Sequence, residues 1–215
     1  MKHGLIAALA AGLFSAAPAF ATAITIDFEG PSSFQSIDQF YNGGQDGGGL
    51  SGPNLGVSFG LDAQAVQNDV LGPYFSNAPS PLGVMLPVGG SAAMNVAAGF
   101  SGLASFYYSS SSAGVVYVWS GVDGTGTLLD AFTLTNNAQA GGCSDSPLCH
   151  WDPATVNLGS KVAKSITFGD AAGVAGFDNV SVNTVPEPES YALMVLGLAA
   201  IGVWLRSARG RQARA

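Results

Sequence analysis

The sequence predicts an all-β domain, an antiparallel β-sandwich of jelly-roll-like form, flanked by an N-terminal signal helix and a C-terminal transmembrane helix. Three observations carry this. Apolar and polar residues alternate with period two through residues 24–183. Turn clusters rich in glycine, asparagine and serine punctuate the alternation. No long amphipathic helical pattern interrupts it.

The alternation can be followed along the chain. Ile24, Ile26 and Phe28 open it. Val57, Phe59 and Leu61 repeat it, then Ala104, Phe106 and Tyr108. Val116 and Val118 face one way and Tyr117 and Trp119 the other, with Trp119 assigned to core packing. Phe132–Leu134, Val156–Leu158, Ile166–Phe168 and Val180–Val182 continue it. Period two is the signature of half-buried strands. The breaks fall at Gly43–Gly49, Asn77–Pro81, Ser109–Ser112, Asp123–Gly126 and Asn136–Asn137, where φ > 0 or a tight reversal is easy. Asp123-Gly124 reads as a hairpin turn. A chain with 30 glycines and 10% charged residues suits short strands and turns better than a solvated bundle.

The two ends differ from this middle. Met1-Lys2-His3 precedes an apolar run from Leu5 to Phe20, and both Ala19-Phe20-Ala21 and Ala21-Thr22-Ala23 fit the small-x-small cleavage rule. Residues 1–23 therefore read as a secretory signal peptide. Tyr191–Leu205 is uncharged. Fifteen residues at about 1.5 Å each reach only roughly 22 Å, short of a hydrocarbon core of about 30 Å. Tyr191, Trp204 and Arg206, Arg209, Arg211 and Arg214 would extend it at the interfaces and hold the tail on the cytoplasmic side. Just before it, two prolines keep Val185, Pro186, Glu187 and Pro188 extended, a form that a protease cleft accepts.

A Pro-Glu-Pro element, a short apolar helix and an arginine tail, in that order, resemble the PEP-CTERM sorting signal of Gram-negative bacteria. The resemblance implies a domain order of signal peptide (1–23), β-sandwich (24–183) and sorting signal (185–215). It implies exosortase, a membrane-embedded transpeptidase, as partner, and contact with the inner membrane during sorting. It further implies export to the cell envelope or the extracellular space, and association with exopolysaccharide.

Charge narrows the middle domain. Between residues 24 and 185, Lys161 and Lys164 stand against twelve acidic residues, a net charge of −10. Phosphate backbones are repelled by such a surface, so nucleic acid is not a partner. Catalysis lacks its parts. His150 is the one histidine outside the signal peptide, and Glu29 is the one glutamate before the tail.

Three binding features remain. Cys143 and Cys149 close a small loop and, in an exported chain with two cysteines, form a disulfide; a zinc site would need more than these thiols and His150. Glu29 on the first strand and Asp178 on the last are candidate ligands of a structural Ca²⁺, because those strands lie side by side in a jelly roll. The same carboxylates read equally as edge-strand groups in water. For stacking on a sugar, Trp151 beside the disulfide loop is the preferred platform among Tyr41, Tyr74, Tyr107, Tyr108, Trp119 and Trp151. The reading is an exported, non-enzymatic envelope or matrix protein. The alternative is a carbohydrate-binding module with a structural calcium site.

Overall fold

The computed structural model describes residues 22–68, 73–185 and 197. It contains eleven strands joined through one antiparallel ladder. In chain order they are β1 (Thr22–Ile26), β2 (Gln35–Ser36), β3 (Val57–Phe59), β4 (Ala63–Gln67), β5 (Gly83–Pro87) and β6 (Ala93–Ser110). There follow β7 (Gly114–Trp119), β8 (Leu128–Leu134), β9 (Asp152–Asn157), β10 (Ala163–Thr167) and β11 (Ala175–Thr184). Two 3₁₀ turns, Ala140–Gly142 and Gly169–Ala171, are the only other regular elements among the described residues.

The 18-residue strand β6 divides the ladder into two leaves. Its first residues pair with β3 on one side and β10 on the other. Its second half pairs with β11 and β9. The switch falls at Gly99 and Gly102, both at positive φ (91° and 73°), where a side chain would be strained. One leaf thus runs β3-β6-β10-β7-β8 and the other β2-β4-β5-β11-β6-β9.

The leaves meet through aromatic rings. Phe168 packs on Phe177 at 4.7 Å between centroids, and Phe106 touches both Phe132 and Phe168 edge-on. Val116, Val118 and Ile166 are buried from one leaf, and Phe106, Val156 and Val182 from the other. The inward half of the predicted alternation therefore forms the core. Fully burying each of these side chains is worth about 1.5–3 kcal/mol.

The chain ends are cross-strand neighbours. β1 pairs with β11 from Thr22↔Thr184 to Ile26↔Val180. Thr184 Oγ1 also donates to the Thr22 carbonyl at 3.0 Å. The strand takes in Thr22 and Ala23, which a boundary at residue 23 assigns to the signal peptide. A cut after Ala21 leaves β1 whole, whereas a cut after Ala23 removes two paired residues. Residues 1–21 lie outside the described residues, as does the span Tyr191–Leu205 apart from Gly197, which is helical. Among the described residues no helix is long and apolar enough to cross a membrane.

Candidate functional site

The outward face of the β3-β6-β10-β7-β8 leaf carries the second half of the alternation. On β7 the pattern puts Tyr117 and Trp119 outward, half-exposed, with Val116 and Val118 beneath. Register places Ser165 of β10 opposite Trp119 and Thr167 opposite Tyr117. Asn95 of β6 lies opposite Ser165. One face therefore presents a row of aromatic and hydroxyl groups.

The connection after β7 folds back over this row. Asp123 and Asn95 bond reciprocally: the Asp123 N–H donates to Asn95 Oδ1 at 2.8 Å, and Asn95 Nδ2 donates to Asp123 Oδ1 at 2.6 Å. The Gly124 N–H donates to Ser165 Oγ at 3.1 Å, and that hydroxyl donates to the Gly121 carbonyl at 2.7 Å. Gly124 sits at φ 69°, and a Cβ there would lie 2.9 Å from the Thr167 methyl. The dipeptide forms the expected turn between the antiparallel strands β7 and β8, and it also edges a cleft.

That cleft has a volume of about 400 Å³ and is open to solvent. Tyr117 and Trp119 form one wall, their ring centroids 6.2 Å apart and their planes tilted by 51°. The indole N–H of Trp119 donates to Thr167 Oγ1 at 3.1 Å, which fixes the ring. Gly90 and Gly169 form the floor, approaching so closely that a Cβ on Gly169 would fall 2.8 Å from Gly90. Asp123 and Asp170 stand exposed at the rim. Chemically the arrangement offers apolar ring faces beside carboxylate acceptors, which suits a ligand with C–H faces and hydroxyl edges.

Trp151 sits elsewhere. It packs edge-on against Phe75 at 6.2 Å, and its indole N–H donates to the Ser76 carbonyl at 2.9 Å. Its partners come from a distant part of the chain and make it a cover for the Val66–Phe75–Val84 cluster. Trp119, expected in the core, lies half-exposed on the outer face of β7 and lines the cleft. A one-residue change of face separates the two outcomes for a strand tryptophan. A second cleft of about 230 Å³ is lined mainly by apolar side chains, among them Leu86, Val88, Leu148 and Val174, with the exposed Tyr74 ring and Ser111 also on its wall.

Cys143 and Cys149 are joined in a disulfide, with 6.0 Å between Cα atoms. The neighbouring His150 Nε2 lies 3.1 Å from Asp152 Oδ1, and Asp152 Oδ2 accepts from Asn137 at 2.8 Å.

Glu29 is not on the first strand as expected: β1 ends at Ile26, and Glu29 lies in the loop beyond Phe28 (φ 60°), from where its charge reaches Asp178 on β11. β11 pairs with β5 at Phe177 and with β1 from Val180 onward, and Asn179 at φ 47° marks the bulge between. In that notch Asp178 is completely buried. Ser80 donates to it from both its N–H and its hydroxyl, each at 2.7 Å, and the Asn179 N–H donates at 2.7 Å. Glu29 Oε1 accepts from the N–H groups of Leu82 and Gly83, both at 2.9 Å. Burial pushes the Asp178 pKa upward; the bonds from Ser80 and Asn179 oppose this, and the Glu29 charge adds to it. Nearby, the buried Tyr41 hydroxyl has no hydrogen-bond partner among the described residues. Burial and the charges of Asp27 and Glu29 raise its pKa. No group of three or more metal-ligating side chains occurs among the described residues.

At the other end of β11, the Val185 N–H donates to the Gly99 carbonyl at 2.9 Å, so the sorting segment begins where the ladder ends. Pro186, Glu187, Pro188 and the four tail arginines lie outside the described residues.

No curated protein matches the chain. Among solved structures it is similar to a family 29 carbohydrate-binding module of Piromyces equi, with 9% identity over 77% of this chain and 91% of that one and a TM-score of 0.40. It is also similar to the C-terminal family 6 module of a marine laminarinase from Zobellia galactanivorans, with 12% identity, 76% and 100% coverage and a TM-score of 0.37. A third is the K1 cleaved adhesin domain of Lys-gingipain from Porphyromonas gingivalis W83, with 15% identity, 76% and 99% coverage and a TM-score of 0.40. Residues 184–209 match a family model, which takes in Pro186–Pro188, Arg206 and Arg209 and stops short of Arg211 and Arg214: the chain carries a PEP-CTERM protein-sorting motif.

Proposed function

We propose that this protein is exported, handed to exosortase through residues 184–209, and delivered as a non-enzymatic glycan-binding domain of the envelope or matrix. The sorting half rests on the motif. The glycan half rests on one observation, the outward Tyr117–Trp119 pair fixed beside two rim carboxylates in an open cleft. Pyranose rings bind by laying C–H faces on aromatic rings while hydroxyls donate to acceptors, and rings already fixed lose little entropy on binding. Affinity electrophoresis against a panel of soluble polysaccharides tests it. Retardation by at least one polysaccharide, abolished in the Tyr117→Ala/Trp119→Ala double variant, is the expected result. No retardation by any member would refute it.

For Glu29 and Asp178 the reading that their hydrogen bonds support is a clamp. The two carboxylates accept the N–H groups of Ser80, Leu82 and Gly83 where β11 changes partner. Unpaired, a buried donor such as the Ser80 N–H would cost about 1–3 kcal/mol. A structural Ca²⁺ at the same pair is the competing assignment. Such an ion takes six to eight oxygens, and five donors already face these carboxylates.

A further inference from the structure

We infer that the cleft takes a single soluble chain of neutral sugars, and not an acidic polysaccharide or a flat crystalline surface. This rests on the glycan reading given above and names its substrate class. The first argument is charge. The titratable acids lining the cleft are Asp123 and Asp170, and no basic side chain lines it. Neither lysine of the domain, Lys161 or Lys164, is among the residues that line it. A uronate, sulfate or phosphate group would meet two carboxylates and no counter-charge. The −10 net charge of residues 24–185 repels a polyanion before it arrives.

The second argument is hydrogen-bond chemistry. Asn95 Nδ2 donates to Asp123 Oδ1 and Asn95 Oδ1 accepts from the Asp123 N–H, which leaves Asp123 Oδ2 without a protein donor among the described residues. An ionised carboxylate only accepts. Its match is a donor, and a neutral sugar is a ring of hydroxyl donors.

The third argument is shape. The planes of Tyr117 and Trp119 are tilted by 51° with centroids 6.2 Å apart. Two rings so inclined cannot both lie on one flat sheet of sugars. They can both stack on consecutive units of a chain that twists.

Isothermal titration of the full chain separates the possibilities, with a soluble β-glucan, a galactomannan, alginate and a suspension of microcrystalline cellulose as probes. The expected result is binding to at least one neutral soluble polymer, at least tenfold tighter than to alginate. Raising NaCl from about 50 to 500 mM should leave that affinity within twofold. Trp119→Ala should weaken it at least tenfold, and Asp170→Lys, an exposed rim change, should narrow the gap to alginate. Alginate binding equal to or tighter than that of the neutral polymers, but lost in Trp119→Ala, would overturn the substrate class and leave the glycan site standing. Tight binding to microcrystalline cellulose alone would overturn the single-chain claim. Absence of binding to all four, or binding indifferent to Trp119→Ala, would sink the glycan site itself.

Discussion

Ser80 and Asp178, separated by 98 residues, are joined twice: the Ser80 N–H and hydroxyl each donate to a different carboxylate oxygen at 2.7 Å. Asp178 is fully buried there, so removing it strands the donors of Ser80 and Asn179. Asp178→Ala should destabilise the protein by about 2–4 kcal/mol. That corresponds to a fall of roughly 5–15 °C in melting temperature for a domain of this size. Thermal unfolding followed by far-UV circular dichroism checks it, and an unchanged midpoint would remove Asp178 from the clamp.

The same residue carries a pH dependence. Burial holds its folded pKa above the ordinary carboxylate value. The folded state then binds that proton more tightly than the unfolded chain does. Stability contributed at this site is therefore present at low pH and is lost as pH rises through the folded pKa. Relative to Asp178→Asn, the wild type should gain stability as pH is lowered from about 7 to about 4.5. Parallel melting curves of the two proteins would show the opposite trend if Asp178 were instead held ionised.

Calcium and clamp predict different melting curves. With Glu29 Oε1 already shared by the Leu82 and Gly83 amides, the clamp needs no ion. Melting temperatures in calcium and in excess chelator should agree within a degree. A large fall with chelator, absent in Glu29→Gln, would assign the pair to calcium.

The Cys143–Cys149 bridge closes a small loop that does not line the cleft. Chain-entropy arguments give such a loop at most about 2–2.5 kcal/mol. The Cys143→Ser/Cys149→Ser double variant should melt a few degrees lower and bind glycan with unchanged affinity. Loss of binding without loss of fold would place the loop in the site.

Much of this architecture is legible in the residue pattern, and its gaps have physical causes. Alternation announces that Val116 and Val118 face away from Tyr117 and Trp119, because a strand has only two faces. It does not say whether the aromatic face is covered. That depends on the return of the Asp123–Gly124 connection and on Gly90 meeting Gly169, contacts made between distant parts of the chain. For Trp151 the pattern is silent in the same way. A tryptophan in a loop looks exposed until Phe75 and Ser76 arrive beneath it. The Cys143–Cys149 pairing needs no such knowledge, since two exported cysteines leave one choice. The pairing of first and last strands follows from the jelly-roll expectation, although Glu29 falls in the loop after β1. The burial of Asp178 does not follow, because it arises where β11 exchanges β5 for β1 around Asn179.

The central claim is that Trp119, and not Trp151, is the glycan platform. Binding isotherms of the wild type, Trp119→Ala and Trp151→Ala against the best-retained polysaccharide test it most directly. Truncating a central aromatic contact costs about 2 kcal/mol or more, roughly thirtyfold in affinity. The account predicts that loss for Trp119→Ala, and for Trp151→Ala a lower melting temperature with affinity per folded molecule unchanged. Loss of affinity in Trp151→Ala with Trp119→Ala binding as the wild type does would contradict it.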